Sequence, residues 1–185
     1  MRVRLVAALG LATSCGGARA PVTRGPTVAV TRELEAAESA ERARQHEEAR
    51  RHYERAVAAA GADGPGRALA HREFGETLAS WGELPAAAHQ LEAAVAARPD
   101  DASAWHDLGI LRHAAGDLAG ATAALQQARS LAPTDPRPRI ALAALYWRTG
   151  NRAAASAEYT ALLALDLPVH VRAKVRWALQ TLAKP

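Results

Sequence analysis

Apolar residues along this chain fall three and four apart, in short runs broken by glycine, proline and acidic residues. The clearest run begins at Ala102. Trp105, Leu108 and Gly109 follow one helical face, and Gly116-Asp117 breaks the pattern. Ala121, Leu125 and Ala128 then set up a second face, which Pro133 ends. This predicts two helices joined by a tight turn. Gly116 suits a helix end that needs a positive φ, and Pro133 lacks the N–H that would continue a helix. The pattern recurs along the chain. Gly82, Gly116 and Gly150 stand 34 residues apart, as do Ala87, Ala121 and Ala155. Leu91, Leu125 and Tyr159 keep the same interval, and so do Phe74, Leu108 and Leu142. That period is the length of a helix–turn–helix unit stacked into a solenoid. The expected fold is therefore all-α. Its expected product is a long concave surface that binds other proteins, not a catalytic pocket.

The register divides residues 30–168 into four units, at 30–63, 68–101, 102–135 and 136–169. The first is weak: Ala49, Tyr53 and Ala56 fit its second helix, but its first helix offers only Leu34, Ala36, Ala37 and Ala40 among glutamates. A polar terminal unit is what a solenoid needs as a cap. The glutamates from Glu33 to Glu54 alternate with arginines and read as a solvated face held by i,i+4 pairs. Four extra residues within Gly61–Arg67 separate the first unit from the second, a joint expected to let the first sit at a variable angle. Beyond Pro168, residues 169–185 form a capping helix. Its stripe of Val171, Val175, Ala178, Leu179 and Leu182 covers the apolar end of the fourth unit. Trp177 lies off that stripe, near Lys174.

These units resemble the tetratricopeptide repeat. The residues that carry the resemblance are Trp105, Leu108, Gly109, Gly116, Ala121, Leu125, Ala128 and Pro133 in the third unit. In the second they are Phe74, Gly75, Leu78, Gly82, Ala87, Leu91, Ala94 and Pro99. The fourth contributes Leu142, Ala143, Tyr146, Gly150, Ala155, Tyr159 and Leu162. The chain departs from the pattern at His71 and Arg112, where large apolar residues are usual. The resemblance implies that the first helix of each unit lines a groove through its second, fifth, ninth and twelfth positions. Here these are Leu69, Arg72, Glu76 and Ala79, then Ser103, His106, Ile110 and His113, then Arg137, Ile140, Ala144 and Trp147. The Lys/Asn set with which some family members clamp a C-terminal carboxylate is absent. Ile110, His113, Ile140 and Trp147 form instead a mixed apolar strip. Such a strip marks a partner site or packs on the neighbouring unit. Arg72 and Arg137 stand ready to select acidic groups at its rim.

The N-terminus reads as an address. Arg2 and Arg4 precede an apolar run from Leu5 to Thr13, too short to span a bilayer as a mature helix. Leu11-Ala12-Thr13-Ser14-Cys15 resembles a bacterial lipobox, which implies a signal peptide over 1–15 and lipid attachment at Cys15. Gly16, rather than an aspartate, implies sorting to the outer membrane, facing the periplasm. The alternative is cleavage after Ala18-Arg19-Ala20 and a soluble secreted or periplasmic protein. Residues 16–29 then form a flexible tether, with an end-to-end distance of roughly 20 Å.

Composition narrows the function. Of the 185 residues, 49% are apolar but only 4% aromatic, and alanine supplies much of the apolar share. Such a chain packs thin helices closely and builds no thick core. The net charge of +4 includes two arginines of the leader, too little to imply nucleic acid. A single cysteine excludes an internal disulfide. No catalytic motif is present: there is no G-x-S-x-G, phosphate loop or H-E-x-x-H. His106 and His113 are seven residues apart on one helix, roughly 10 Å along its axis, too far to share a metal ion. The expectation is a non-enzymatic scaffold without cofactor or metal, which binds a protein or peptide in its groove. The combination of leader and repeats is similar to the pilotin lipoproteins of type IV pili. That likeness implies help in assembling an outer-membrane complex. The alternative is an adaptor that recruits cell-wall enzymes.

Overall fold

A computed structural model describes residues 25–62 and 64–184. Among them are nine helices and no strand. In chain order they are α1 (Val28–Arg42), α2 (His46–Ala60), α3 (Gly64–Ser80), α4 (Leu84–Ala97), α5 (Ala102–Ala114), α6 (Leu118–Leu131), α7 (Pro136–Arg148), α8 (Arg152–Leu163) and α9 (Val169–Leu182). Helices α1, α3, α5 and α7 each pack on the helix that follows, each pair stacks on the next, and α9 packs on α8. This is the all-α tetratricopeptide-type solenoid that the 34-residue period predicts. The leader and most of the tether lie outside the described residues.

Local chemistry explains where the helices start and stop. Asp101, Asp117, Asp135 and Asn151 open α5, α6, α7 and α8, each accepting a hydrogen bond from a backbone N–H of the first turn. Pro136 stands in the first turn of α7, where its missing N–H costs nothing. Three of the turns within pairs close on Gly82, Gly116 and Gly150, with φ of 84°, 85° and 76°. The first pair makes the same turn with Arg44, at φ 60°, a conformation that a side chain disfavours.

The core is thin and divided along the axis, as an alanine-rich sequence requires. A first cluster joins α1 to α6 through residues such as Leu34, Tyr53, Phe74, Leu78, Leu91 and Leu108. A second gathers Ala121, Leu125, Leu142 and Leu145, and a third Leu162, Leu167 and Val175. Small residues let paired helices approach. Ala87, Ala121 and Ala155 are fully buried. A Cβ on Gly109 would lie 2.6 Å from Leu125 Cγ, so α5 and α6 cross in contact there.

Two features of the N-terminal half go beyond the sequence reading. Of the residues between the first and second units, Gly64–Arg67 are helical. They lengthen α3, which starts at Gly64 and packs on α2. Pro65 fits that start because its φ is already helical. The N-terminal glutamates are not simply a solvated face. Glu38 and Arg42 make an i,i+4 pair, but other carboxylates bridge helices. Glu33 lies 2.8 Å from His52 Nδ1 on α2. Glu41 Oε1 accepts from the Tyr53 hydroxyl and, at 2.6 Å, from the Thr77 hydroxyl. Arg50 reaches Glu83 at 2.6 Å. Periodicity shows which face a carboxylate is on, but not whether a buried hydroxyl from another helix meets it. The off-pattern residues are also accommodated. His71 is buried, with Nδ1 2.7 Å from Gln90 Oε1, and Arg112 pairs with Glu92 at 3.0 Å.

Candidate binding groove

The first helices of successive pairs run side by side: α1 touches α3, α3 touches α5, and α5 touches α7. Their shared surface carries the positions that the family resemblance assigned to the groove. The structure splits them between two separate cavities and a stretch in between.

The N-terminal cavity is polar, with a volume of about 760 Å³. Arg72, Glu76 and Arg137 line it, together with Glu38, Glu41, Arg42, Glu73 and Asp107. The two arginines offered as selectors of acidic groups are both engaged within the chain. Arg72 Nη1 lies 2.7 Å from Glu76 and 3.8 Å from Asp107. Arg137 holds Asp135 through Nε at 2.9 Å and Nη2 at 2.6 Å. The hydrogen bond to Arg137 keeps the Asp135 carboxyl below the usual carboxylate range, and Asp135 in turn raises Arg137. At the floor, burial pushes the Tyr53 phenol up, and its bond to Glu41 adds to the effect. Tyr53 therefore stays a neutral donor, and the excess of carboxylates leaves this end acidic.

The C-terminal cleft has the opposite character. Its volume is about 590 Å³, and its lining is almost wholly apolar. Ile140, Ala144 and Trp147 of α7 form one wall. Tyr159 of α8 lies behind them, and Val171, Lys174, Trp177 and Ala178 of α9 form the other wall. Trp147 is half-buried. Its ring is parallel to that of Trp177 at a centroid distance of 6.4 Å, and perpendicular to that of Tyr159 at 6.2 Å. Trp147 belongs to none of the three core clusters. The cleft exists because α9 stands away from α7: no Cα of one comes within 8 Å of a Cα of the other. Val175, Ala178 and Leu179 fix α9 against the rest, with Val175 in the third core cluster.

Between the cavities lie His106, Ile110 and His113. His106 Nδ1 is 3.1 Å from Asp107, and Ile110 is 44% exposed. His113 Nε2 is 2.7 Å from Arg148 Nη1, which ties α5 to α7. Ile140 and Trp147 share the cleft, whereas Ile110 and His113 line neither cavity.

Sequence reasoning assigned no groove role to several lining residues. Two signals point to them. Extending the 34-residue register from Arg137, Ile140 and Ala144 reaches Val171, Lys174 and Ala178, three residues of the far wall. The capping helix thus supplies groove positions as the first helix of a fifth unit would. At the other end, allowing for the four extra residues, Glu76 and Ala79 correspond to Glu38 and Glu41. Among the described residues, no group of His, Cys, Asp and Glu could hold a metal ion, and no helix is long and apolar enough to cross a membrane.

With this geometry in place, the family follows from comparison with known proteins. Residues 81–136 and 112–173 match two profiles of the tetratricopeptide repeat, which together run over just more than half of the chain. The chain belongs to the tetratricopeptide repeat family. Its fold is similar to that of the MamA protein, with a TM-score of 0.71 and 17% identity over 83% of this chain and 80% of that one. It is also similar to Pseudomonas aeruginosa pilF, with a TM-score of 0.66 and 14% identity over 83% and 73%. A third likeness is to the Yersinia enterocolitica type III secretion chaperone SycD in complex with a peptide of the translocator YopD. There the TM-score is 0.57 and the identity 16%, over 60% and 88%. No curated protein sequence matches the chain.

Proposed function

We propose that this protein is a lipid-anchored scaffold of the cell envelope, which binds a peptide or helix of a partner in its groove and assists assembly of an outer-membrane complex. The observation that carries the binding part is the α7–α9 cleft. Ile140 and Trp147 stand at groove positions and line an open apolar cleft rather than filling the core. Apolar surface left open between two helices is the kind of surface on which a partner segment gains burial energy, about 25 cal/mol per Å². SycD, which has a similar fold, is seen with a peptide of its translocator. Binding, not catalysis, is the ordinary work of this family. The anchoring part rests on the leader and Cys15, which lie outside the described residues.

The test is a paired measurement on Trp147→Ala. The partner is captured from membranes with the full chain and titrated against both proteins, and the same proteins are unfolded in urea. Trp147→Ala is expected to cost at least about 2 kcal/mol of binding. Its stability loss should be smaller than that of Leu142→Ala, which removes a fully buried side chain and should cost about 2–5 kcal/mol. Intact affinity together with a loss as large as that of Leu142→Ala would show Trp147 to be core and would refute the groove as placed.

A further inference from the structure

The α7–α9 cleft has a charge as well as a shape. We infer that it takes a segment of a partner protein in which a large apolar side chain, such as Phe, Trp or Leu, stands next to carboxylates. This rests on the groove-binding reading above and narrows it to one end of the groove and one ligand chemistry.

The apolar half of the argument is geometric. Trp177 is 64% exposed and Ile140 38% exposed, and both border a cleft that the half-buried Trp147 and Tyr159 also line. Two tryptophans and a tyrosine around one opening form the kind of lining that buries a large partner side chain, because aromatic rings offer much contact area at little entropic cost.

The charged half comes from the two walls. Helices α7 and α9 together carry Arg137, Arg139, Arg148, Arg172, Lys174 and Arg176, and neither carries an aspartate or glutamate. From residue 136 to the end of the chain the acidic residues are Glu158 and Asp166. Glu158 is buried between Arg129 and Arg139. Lys174 and Arg148 both line the cleft. Among the described residues neither has a carboxylate within ion-pair distance, and the recorded partner of the Arg148 guanidinium is His113. The stems of Arg148 and Lys174 border the cleft, and among the described residues no carboxylate neutralises their charges, in contrast to Arg72 and Arg137 at the other cavity. A ligand carboxylate beside the apolar anchor meets complementary charge, and a ligand lysine there is repelled. Basic residues around a tryptophan also suit an anionic lipid surface. However, the rings here line a recess between two helices, a form that admits a side chain better than it lies on a plane.

The test selects ligands without assuming them. A phage-displayed library of random linear peptides is panned against the immobilised full chain, and selected peptides are titrated by fluorescence polarisation against the unmodified chain, Trp177→Ala and Lys174→Glu. The expected consensus pairs a Phe, Trp or Leu with adjacent Asp or Glu. Each substitution should weaken such peptides by about tenfold or more. Thermal melting should be nearly unchanged, because both side chains are exposed. Peptides that lack this consensus, or that bind Trp177→Ala and Lys174→Glu as tightly as the unmodified chain, overturn the inference and leave the groove reading standing. A selection that yields no binding peptide overturns both. Sedimentation with phosphatidylglycerol vesicles that Trp177→Ala abolishes, without an acidic–aromatic consensus, assigns the cleft to a membrane surface and also overturns the inference.

Discussion

Gly109 offers the sharpest test of the packing that holds the groove helices in place. A glycine inside an exposed helix is ordinarily improved by alanine, by about 1 kcal/mol. At Gly109 the added Cβ would lie 2.6 Å from Leu125 Cγ, 2.9 Å from Leu125 Cδ2 and 3.2 Å from the Leu125 backbone N. Only the 3.2 Å contact is with the backbone of α6; Cγ and Cδ2 could swing away only by a χ1 rotation, which the close packing of the fully buried Leu125 side chain resists. Helices α5 and α6 must move apart. Overpacking of this kind costs about 1–3 kcal/mol, and the complete burial of Leu125, with the α6 backbone close behind it, places it near the upper end. Gly109→Ala should therefore destabilise by a net of about 2 kcal/mol, once the propensity gain is set against the clash. For a chain of this size that lowers the melting temperature by roughly 4–8 °C. The assay is urea and thermal unfolding followed by far-ultraviolet circular dichroism, carried out as a double-mutant cycle with Leu125→Ala. In that background the leucine is gone and the new methyl enters vacated space, so Gly109→Ala should turn neutral or stabilising. The expected coupling is about 2–3 kcal/mol. If Gly109→Ala raises stability by about 1 kcal/mol on its own, as at an open helical site, the close crossing is refuted.

Three further outcomes are expected. Arg44→Gly should stabilise by up to about 1 kcal/mol in a urea melt, because Arg44 holds a positive φ at the turn where the next three pairs have glycine; a loss of stability would mean that the side chain contributes something the turn geometry does not show. Burial, with Arg67 alongside, keeps the His71 imidazole below the ordinary histidine value, so its contribution is complete above about pH 6.5 and is lost as pH falls toward the lower folded-state value; the drop in urea midpoint on acidification should be smaller in His71→Gln, and an identical drop would count against it. Cys15→Ala should leave the chain unprocessed at that site and unlabelled by radioactive palmitate, and normal labelling would rule out lipid attachment there.

How much of the groove was legible in sequence differs from residue to residue. Leu91, Leu108, Leu125 and Leu142 fell in register and are core, because a fully buried leucine must recur wherever the unit recurs. Ile140 and Trp147 were found for the same reason, since their places in the unit put them on the open face. Arg72 and Arg137 line the N-terminal cavity. Their ion pairs with Glu76, Asp107 and Asp135 were not legible in the register. A one-dimensional register gives the direction of a side chain but not what comes to meet it from a neighbouring helix.

The sequence alone determined the helix pairs, their number, their turns and the face each presents. These depend on interactions within about one unit: turn glycines at Gly82, Gly116 and Gly150, caps such as Asp117 and Asn151, and small residues at the crossing recur with the unit. Only the tertiary structure decided what the stacked units enclose. It set α9 away from α7 and opened the cleft, laid Trp177 parallel to Trp147 across it, and gathered carboxylates from α1, α3 and α5 into the opposite, acidic end. Those features depend on distances between helices of different pairs, which share few contacts. Small changes in packing accumulate from one pair to the next, and no local pattern records their sum.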